Sequence, residues 1–276
     1  MIKLLRIELK KILTYRIFWI LTGLYFFFLA AGILLAEFIF NNMINDFNKR
    51  MPIPFPHVRF YFFPDIWQNI TYFASIRYVL IFPAIIIIIL ITNEFANKTI
   101  RQNVVNGMSR QEFLWSKMQV ILLLSVVITL IVGIGILILG FLNSDIQSFS
   151  IIIRRSSFIL GFFVSVFSVL ILAFFFGFLM RNTGLSIALF VLYVLIIEPV
   201  VYFTLKIPPL QPNKVSTYLP FNSMIRITEY PSVPMLKQIM GFQLQSHVSL
   251  AACGISLLYS AVMIGIVFWV LYKKDL

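Results

Sequence analysis

Long apolar runs, each able to cross a membrane as one helix, constrain the fold of this chain more than any other feature. The hydrocarbon core of a bilayer requires about 20 consecutive apolar residues in helical form, and the 276-residue sequence contains six such runs. The predicted spans cover residues 17–40, 76–92, 120–142, 158–180, 185–205 and 248–272. The predicted fold is therefore an all-α polytopic membrane protein with six transmembrane helices, in which residues 1–276 form a single transmembrane domain.

The composition excludes a soluble protein and changes what the net charge means. Hydrophobic residues make up 61% of the chain and charged residues 12%, whereas about a quarter of the residues in soluble domains are charged. A formal net charge of +12 would favour nucleic-acid binding in a soluble protein. Beside apolar spans, however, basic residues are expected because the membrane surface is anionic. We therefore expect membrane lipids, and no nucleic acid, as partners.

The first 16 residues predict an amphipathic helix that lies in the membrane interface. Its basic face carries Lys3, Arg6 and Lys10, which would contact lipid phosphates. The opposite face carries the apolar residues Ile2, Leu5, Leu9, Ile12 and Leu13. A signal peptide also begins with basic residues, but the apolar run that follows is too long for one and further spans follow it.

The polar stretch between the second and third spans predicts a helical elbow. We expect the helix that leaves the membrane to continue past Glu94, Lys98 and Arg101 as far as Asn106 and Gly107. Asn-Gly is the residue pair that most easily adopts the left-handed conformation that ends a helix.

A second helix is predicted to begin immediately after this bend. Ser109 and Glu112 have the spacing of a capping box, in which each side chain accepts a hydrogen bond from the backbone N–H of the other residue. Phe113, Trp115 and Met118 then lead back into the membrane. The expected geometry is a helix, a tight bend and a second helix.

The elbow resembles a known family at the level of sequence. The pattern N-E-F-x-x-K-T-x-R at residues 93–101, followed by G-M-S-R at 107–110 and E-F at 112–113, resembles the cytoplasmic loop of permease subunits in ATP-binding-cassette (ABC) transporters of the type-2 exporter family. The resemblance implies an N-terminal interfacial helix and six spans. It also implies that two permeases, either two copies or a copy and a homologue, pair with two separate ATPase subunits.

The same resemblance implies which residues contact the ATPase. The implied contact residues are Glu94, Lys98, Arg101, Gly107, Ser109, Arg110 and Glu112. ATP and magnesium would then bind to the partner ATPase, with no cofactor in this chain. Relatives carry drugs, peptides, lipids and polysaccharides, so the resemblance implies export without specifying a substrate. Because the ATPase would be a separate polypeptide, we expect a bacterial cytoplasmic membrane.

The distribution of Lys and Arg predicts the orientation. These residues are denser in the two terminal segments, the elbow and the turn at Arg181 than in the longer loops on the other side. Cytoplasmic loops carry the excess of basic residues. We therefore expect both termini and the elbow to be cytoplasmic.

Motifs of enzymatic chemistry are absent from the sequence. The chain contains no GxxxxGK[ST] phosphate loop and no HExxH metal motif. Cys253 is the one cysteine, and His57 and His247 have no potential ligands near them in sequence. We therefore expect no catalytic, cofactor-binding or metal site in this chain, and any transport energy must come from a partner or an ion.

Glu198, inside the fifth apolar run, supports an alternative function. An acidic residue within a span is a candidate functional group, so the chain could be an ion-coupled secondary transporter. Alternatively, Glu198 lies near the outer interface and, with Pro199, caps or kinks the span. A non-transporting membrane scaffold is a third class, but no sequence feature favours it.

Two further expectations concern packing. Pro and aromatic residues are dense within residues 41–75, which predicts a loop without regular helix that lies partly in the outer leaflet. Gly133, Gly135 and Gly140 in the third span predict a face that packs closely against another helix.

Overall fold

The computed structural model describes residues 2–49, 57–97, 99, 107–144, 148–207, 214–228, 230–232 and 245–273, except for the side chains of residues 2–5 and 214. The regular elements in these ranges are helices and none is a strand. Six of the helical segments are long and apolar enough to cross a membrane. The prediction of an all-α polytopic membrane protein is therefore confirmed.

The helices follow one another in a simple order. They are α1 (Ile2–Thr14), α2 (Arg16–Asn48), α3 (Ile66–Ala74), α4 (Arg77–Ala96), α5 (Arg110–Asn143), α6 (Phe149–Ile153), α7 (Ser157–Met180), α8 (Thr183–Leu192), α9 (Glu198–Thr204), α10 (Pro220–Ile225) and α11 (Leu250–Lys273). A π-helical turn at Tyr193–Ile197 joins α8 to α9, and a 3-10 turn at Lys214–Tyr218 precedes α10. The six spans are α2, α4, α5, α6 with α7, α8 with α9, and α11.

Helices α4 and α7 form the centre of the bundle. In the spans that contain them, 67% of the most apolar window is buried, against 17–28% in the other four spans. The two helices approach closely at Gly177, where a Cβ atom would lie 2.3 Å from Ile91 Cγ2. The peripheral spans direct large apolar side chains outward, such as Leu34 and Leu142, as expected for surfaces that contact lipid.

Both ends of the described chain lie at one end of the bundle. Arg110 Nη1, at the start of α5, donates to the Leu271 and Tyr272 carbonyls near the end of α11, each at 2.9 Å. Lys117, about two turns further along α5, contacts Glu8 of α1. We call this end of the bundle the terminal end and the opposite end the far end.

Helix α2 is longer than predicted and corrects the expectation of an irregular loop after residue 40. It continues to Asn48. Ile44 is fully buried in a small cluster with Val58 and Phe60, and Asn41 Oδ1 accepts a hydrogen bond from Val58 N at 2.8 Å. The extra turns of α2 are therefore stabilised by the returning chain.

Helix α3 also lies within the stretch of residues 41–75, where a loop without regular helix was expected. Seven of its nine residues are buried, so it packs inside the far end of the bundle. Trp67 Nε1 donates to the Ile152 carbonyl at 2.6 Å, and Asn69 Nδ2 donates to the Phe60 carbonyl at 2.9 Å. These hydrogen bonds satisfy polar groups that a buried helix would otherwise leave without partners.

The three glycines of the third span behave differently from one another. A Cβ atom on Gly140 would lie 2.3 Å from Phe63 Cζ, so this glycine makes room for the Phe63 ring. Gly133 has ordinary contact distances to Ile159, and a Cβ on Gly135 would meet nothing within 4 Å. The predicted close-packing face is therefore confined to Gly140, and its neighbour is an aromatic ring instead of a helix backbone.

Candidate functional site

The elbow begins where α4 ends, and this end comes earlier than predicted. Helix α4 stops at Ala96, and Asn97 N donates to the Asn93 carbonyl at 3.0 Å. The expectation of an uninterrupted helix past residue 97 is therefore wrong. Lys98, Arg101 and Asn106 lie outside the described residues.

The predicted bend and cap at the start of α5 are both confirmed. Gly107 has φ +93°, a backbone conformation that glycine adopts readily and β-branched residues resist. Ser109 Oγ accepts from Glu112 N at 3.1 Å, and Glu112 Oε2 accepts from Ser109 N at 2.8 Å. Gly107, Ser109 and Glu112 are exposed, so the bend and cap form part of the molecular surface.

Arg110 ties the elbow to the last helix. Its Nη1 bonds to the carbonyls of Leu271 and Tyr272, and Gln111 Nε2 donates to Tyr272 Oη at 3.1 Å. The final carbonyls of a helix have no partners within the helix, and a cation there also complements the helix dipole. Arg110 thus stabilises the end of α11 and fixes its position relative to the elbow.

A buried ion cluster lies at the inner side of the elbow. Lys117 Nζ donates to Glu8 Oε2 at 2.7 Å and to Glu94 Oε1 at 2.5 Å. The three side chains are 5%, 8% and 6% exposed, respectively. The cluster therefore connects α1, α4 and α5 through one ammonium group.

Lys11 completes the cluster from its partly exposed side. Its Nζ lies 3.2 Å from Glu94 Oε1 and 3.5 Å from Glu8 Oε1. Burial by itself would lower the pKa of Lys11, but the carboxylates of Glu94 and Glu8 outweigh it and raise the pKa above its ordinary value. Two ammonium groups thus face two carboxylates, which balances the formal charge of the cluster.

The position of Glu94 corrects one prediction. We expected its charge to face a partner protein, but the side chain is buried and paired with Lys117 and Lys11. A carboxylate at this depth requires cationic neighbours to offset its lost hydration. One feature of the sequence hints at this pairing, since Lys117 is a cation near the start of the third apolar stretch.

Helix α1 is present, but its buried face is rotated from the predicted one. Glu8 and Ile12 are buried, whereas Leu13 is half exposed. Arg6 and Lys10 are exposed as expected, and the side chain of Lys3 lies outside the described residues. The face of α1 that carries Glu8 lies against α5, because Glu8 pairs with Lys117.

Glu198 has a structural partner at the far end of the bundle. Its carboxylate is buried and accepts hydrogen bonds from the backbone N–H groups of Phe221 (3.0 Å) and Asn222. These groups belong to the first turn of α10 (Pro220–Ile225), where backbone N–H groups lack helical partners. Glu198 therefore caps α10, whereas the expectation was that it caps or kinks its own span.

A second polar cluster, at the far end, was not predicted from the sequence. Arg155 Nη1 donates to Asp65 Oδ1 at 2.5 Å and to Gln68 Oε1 and Ser232 Oγ at 3.0 Å each. Arg155 lies in the turn before α7, and it thereby connects this turn to the start of α3 and to the segment between α10 and α11. Its members are paired with one another, which indicates a structural role.

Possible metal ligands do not converge within the described part of the chain. No group of three or more His, Cys, Asp and Glu side chains that could hold a metal ion occurs there. Comparison with protein-family models and with curated proteins found no match for this chain.

Proposed function

We propose that this protein is the membrane-spanning permease subunit of an ABC transporter and that its elbow receives a separate ATPase subunit. The observation that carries the proposal is the pairing of Glu94 with Lys117, about two helical turns along α5 from the capped bend at Gly107. The pair joins the helix that enters the elbow to the helix that leaves it. This geometry adds to the sequence resemblance in residues 93–113.

The buried pair would let the elbow act as a rigid lever. Helix α4 packs at the centre of the bundle, and Glu94 lies in its last turn, two residues before the final residue Ala96. Helix α5 begins with a capping box and carries Lys117 in its second turn. A force applied to the exposed bend would therefore reach α4 through the backbone and also across the ion pair.

The proposed orientation places the terminal end in the cytoplasm of a bacterial cell. The exposed cations Arg6, Lys10, Arg16 and Lys273 lie on α1 or at ends of α2 and α11 on this side. Basic residues in short segments beside spans favour the cytoplasmic side. ATP and magnesium would bind to the ATPase, which in bacteria is also cytoplasmic.

The four peripheral spans leave room for the second permease that this function requires. Their outward faces are apolar and extensive, and α2 is the least buried of the six spans. Either another copy of this chain or a homologue would complete the transporter. Export of a substrate is the direction that the family resemblance favours.

Co-purification is the direct test of the proposed function. The tagged full-length protein would be extracted from its native membrane with a mild detergent, and bound proteins would be identified by mass spectrometry. We expect an ABC ATPase subunit and magnesium-dependent ATP hydrolysis in the eluate. Transport that proceeds without any ATPase, depends on an ion gradient and is abolished by Glu198→Gln would overturn the proposal in favour of a secondary transporter.

A further inference from the structure

An open groove lies between the start of α5 and the second half of α11. Its volume is about 590 Å³, and its walls include Leu114, Trp115 and Met118 of α5 and Ile264, Gly265 and Phe268 of α11. Gln111 contributes one polar side chain at its terminal end. The groove lies on a different face of α5 from the buried ion cluster, so the contacts described above leave it open.

Aromatic residues place the mouth of the groove at the level of lipid headgroups. Trp115, Trp269 and Tyr272 are 59%, 60% and 50% exposed, and Trp and Tyr concentrate at the boundary between membrane and water. From Gln111 to Met118 the groove extends about 10 Å along α5, roughly a third of the hydrocarbon thickness of a bilayer. Its depth therefore matches the upper part of one acyl chain.

Two cations flank this mouth. Arg110 precedes Gln111, and among the described residues its hydrogen bonds to α11 use only Nη1 of a guanidinium that has five N–H donors. Lys273, in the last turn of α11, is exposed, and its Nζ lies 4.8 Å from the centroid of the Trp269 ring. An anionic phosphate at headgroup level would complement both charges.

We propose that this groove binds an anionic phospholipid, with one acyl chain between α5 and α11 and the phosphate between Arg110 and Lys273. A second copy of the chain fits less well. The terminal end of a second copy would carry the same exposed cations, including Arg6, Lys10 and Lys273, and would bring like charges toward the two cations at the mouth. The lipid site does not depend on the proposed transport function.

Photolabelling of the full-length protein in lipid vesicles tests the site. The probes are phosphatidylglycerol and phosphatidylcholine that carry the same photoactivatable group in one acyl chain. We expect labelled peptides that contain Met118 or Phe268, with phosphatidylglycerol labelling more strongly. Equal labelling by the two lipids would overturn the proposed phosphate site.

Two glycines of α11 provide a variant and a matched control. A Cβ atom on either Gly265 or Gly254 would meet nothing within 4 Å, so both positions have space for a larger side chain, but only Gly265 lines the groove. Gly265→Leu should remove most of the labelling, because the leucine side chain would occupy space in the groove that the acyl chain needs. Gly254→Leu should leave it unchanged, and equal labelling of the Gly265→Leu protein would overturn the proposed acyl-chain site.

A charge variant separates headgroup recognition from the groove. Lys273→Gln should lower labelling by phosphatidylglycerol about fivefold, because each cation near an anionic lipid contributes a factor of that order, while labelling by phosphatidylcholine stays the same. As a check on the alternative occupant, Gly265→Cys in a Cys253→Ala background should not form disulfide-linked dimers in the membrane. Efficient dimers would show that the groove is an interface between copies and would overturn the proposal.

Discussion

Lys117 Nζ lies 2.5 Å from Glu94 Oε1, so a salt bridge between α5 and α4 closes the elbow on its inner side. The same ammonium group also contacts Glu8 at 2.7 Å, which adds α1 to the assembly. The amphipathic helix, a central helix of the bundle and the capped bend are thus held together by buried charges. A movement of the elbow would therefore also displace α1 and α4.

The first prediction concerns the stability of this cluster. Lys117→Leu would leave two buried carboxylates with only the partly exposed Lys11 nearby, and breaking a buried pair in this way costs about 3–5 kcal/mol of unfolding free energy. The thermal midpoint of the purified protein in detergent should fall clearly. Lys10→Ala, which removes an exposed cation from α1, is the control and should leave the midpoint nearly unchanged.

A triple variant sharpens this test. Adding Glu8→Gln and Glu94→Gln to Lys117→Leu removes the unpaired negative charges and should recover much of the lost stability. No recovery in the triple variant, or a Lys117→Leu protein as stable as the Lys10→Ala control, would show that the charges of the cluster contribute little.

The second prediction concerns Gly107. The surrounding space is open, since a Cβ atom would meet nothing within 4 Å, but the φ of +93° is unfavourable for a β-branched residue. Gly107→Val should therefore distort the bend strongly, whereas Gly107→Asn should distort it less because Asn enters the left-handed region more easily. We expect both proteins to insert into the membrane and only the Val variant to lose ATPase recruitment in co-purification. Equal recruitment by the two variants would mean that the shape of the bend is unimportant.

Several parts of the fold could be predicted from the sequence because their signals are local. The apolar runs, the positive φ at Gly107 and the Ser109–Glu112 capping box depend on residues within a few positions of one another. The exact bounds were less accurate. Helix α2 continues past residue 40 because Ile44 finds a buried site against Val58 and Phe60, and such a site depends on how the later chain returns.

The ion cluster could not be predicted because its members are distant in sequence. Glu8 and Lys117 are separated by 109 positions, and Lys11 and Glu94 by 83. In the sequence, Glu94 is a polar residue at the end of a span, and this position fits a surface contact as well as a buried pair. The far-end cluster around Arg155 was missed for the same reason, since Ser232 lies 77 positions away.

The third prediction concerns Glu198. Its carboxylate accepts two backbone N–H groups of α10, so Glu198→Ala would leave both buried donors without a charged acceptor, at a cost of about 1–3 kcal/mol. Amide hydrogen exchange at Phe221 and Asn222 should become faster, while exchange in α7 should stay slow. If exchange at Phe221 and Asn222 is unaffected, Glu198 does not hold α10 in place.

The fourth prediction concerns the orientation. In a protein without Cys253, single cysteines at Asn48 and Ser148, both at the far end, should react with a membrane-impermeant thiol reagent added to intact cells. A single cysteine at Asn97, in the elbow, should react only after the membrane is opened. Labelling of Asn97→Cys from outside would reverse the proposed orientation.

Photocross-linking from the elbow can show whether an ATPase subunit binds there. Asn97 is exposed at the end of α4, and Asn143 is exposed at the opposite end of α5. A photoreactive amino acid would replace each residue in turn in the native membrane, and the captured proteins would be identified by mass spectrometry. We expect position 97 to capture an ABC ATPase subunit and position 143 to capture none. If position 97 captures no ATPase in a protein that is correctly inserted and stable, the elbow does not receive an ATPase subunit.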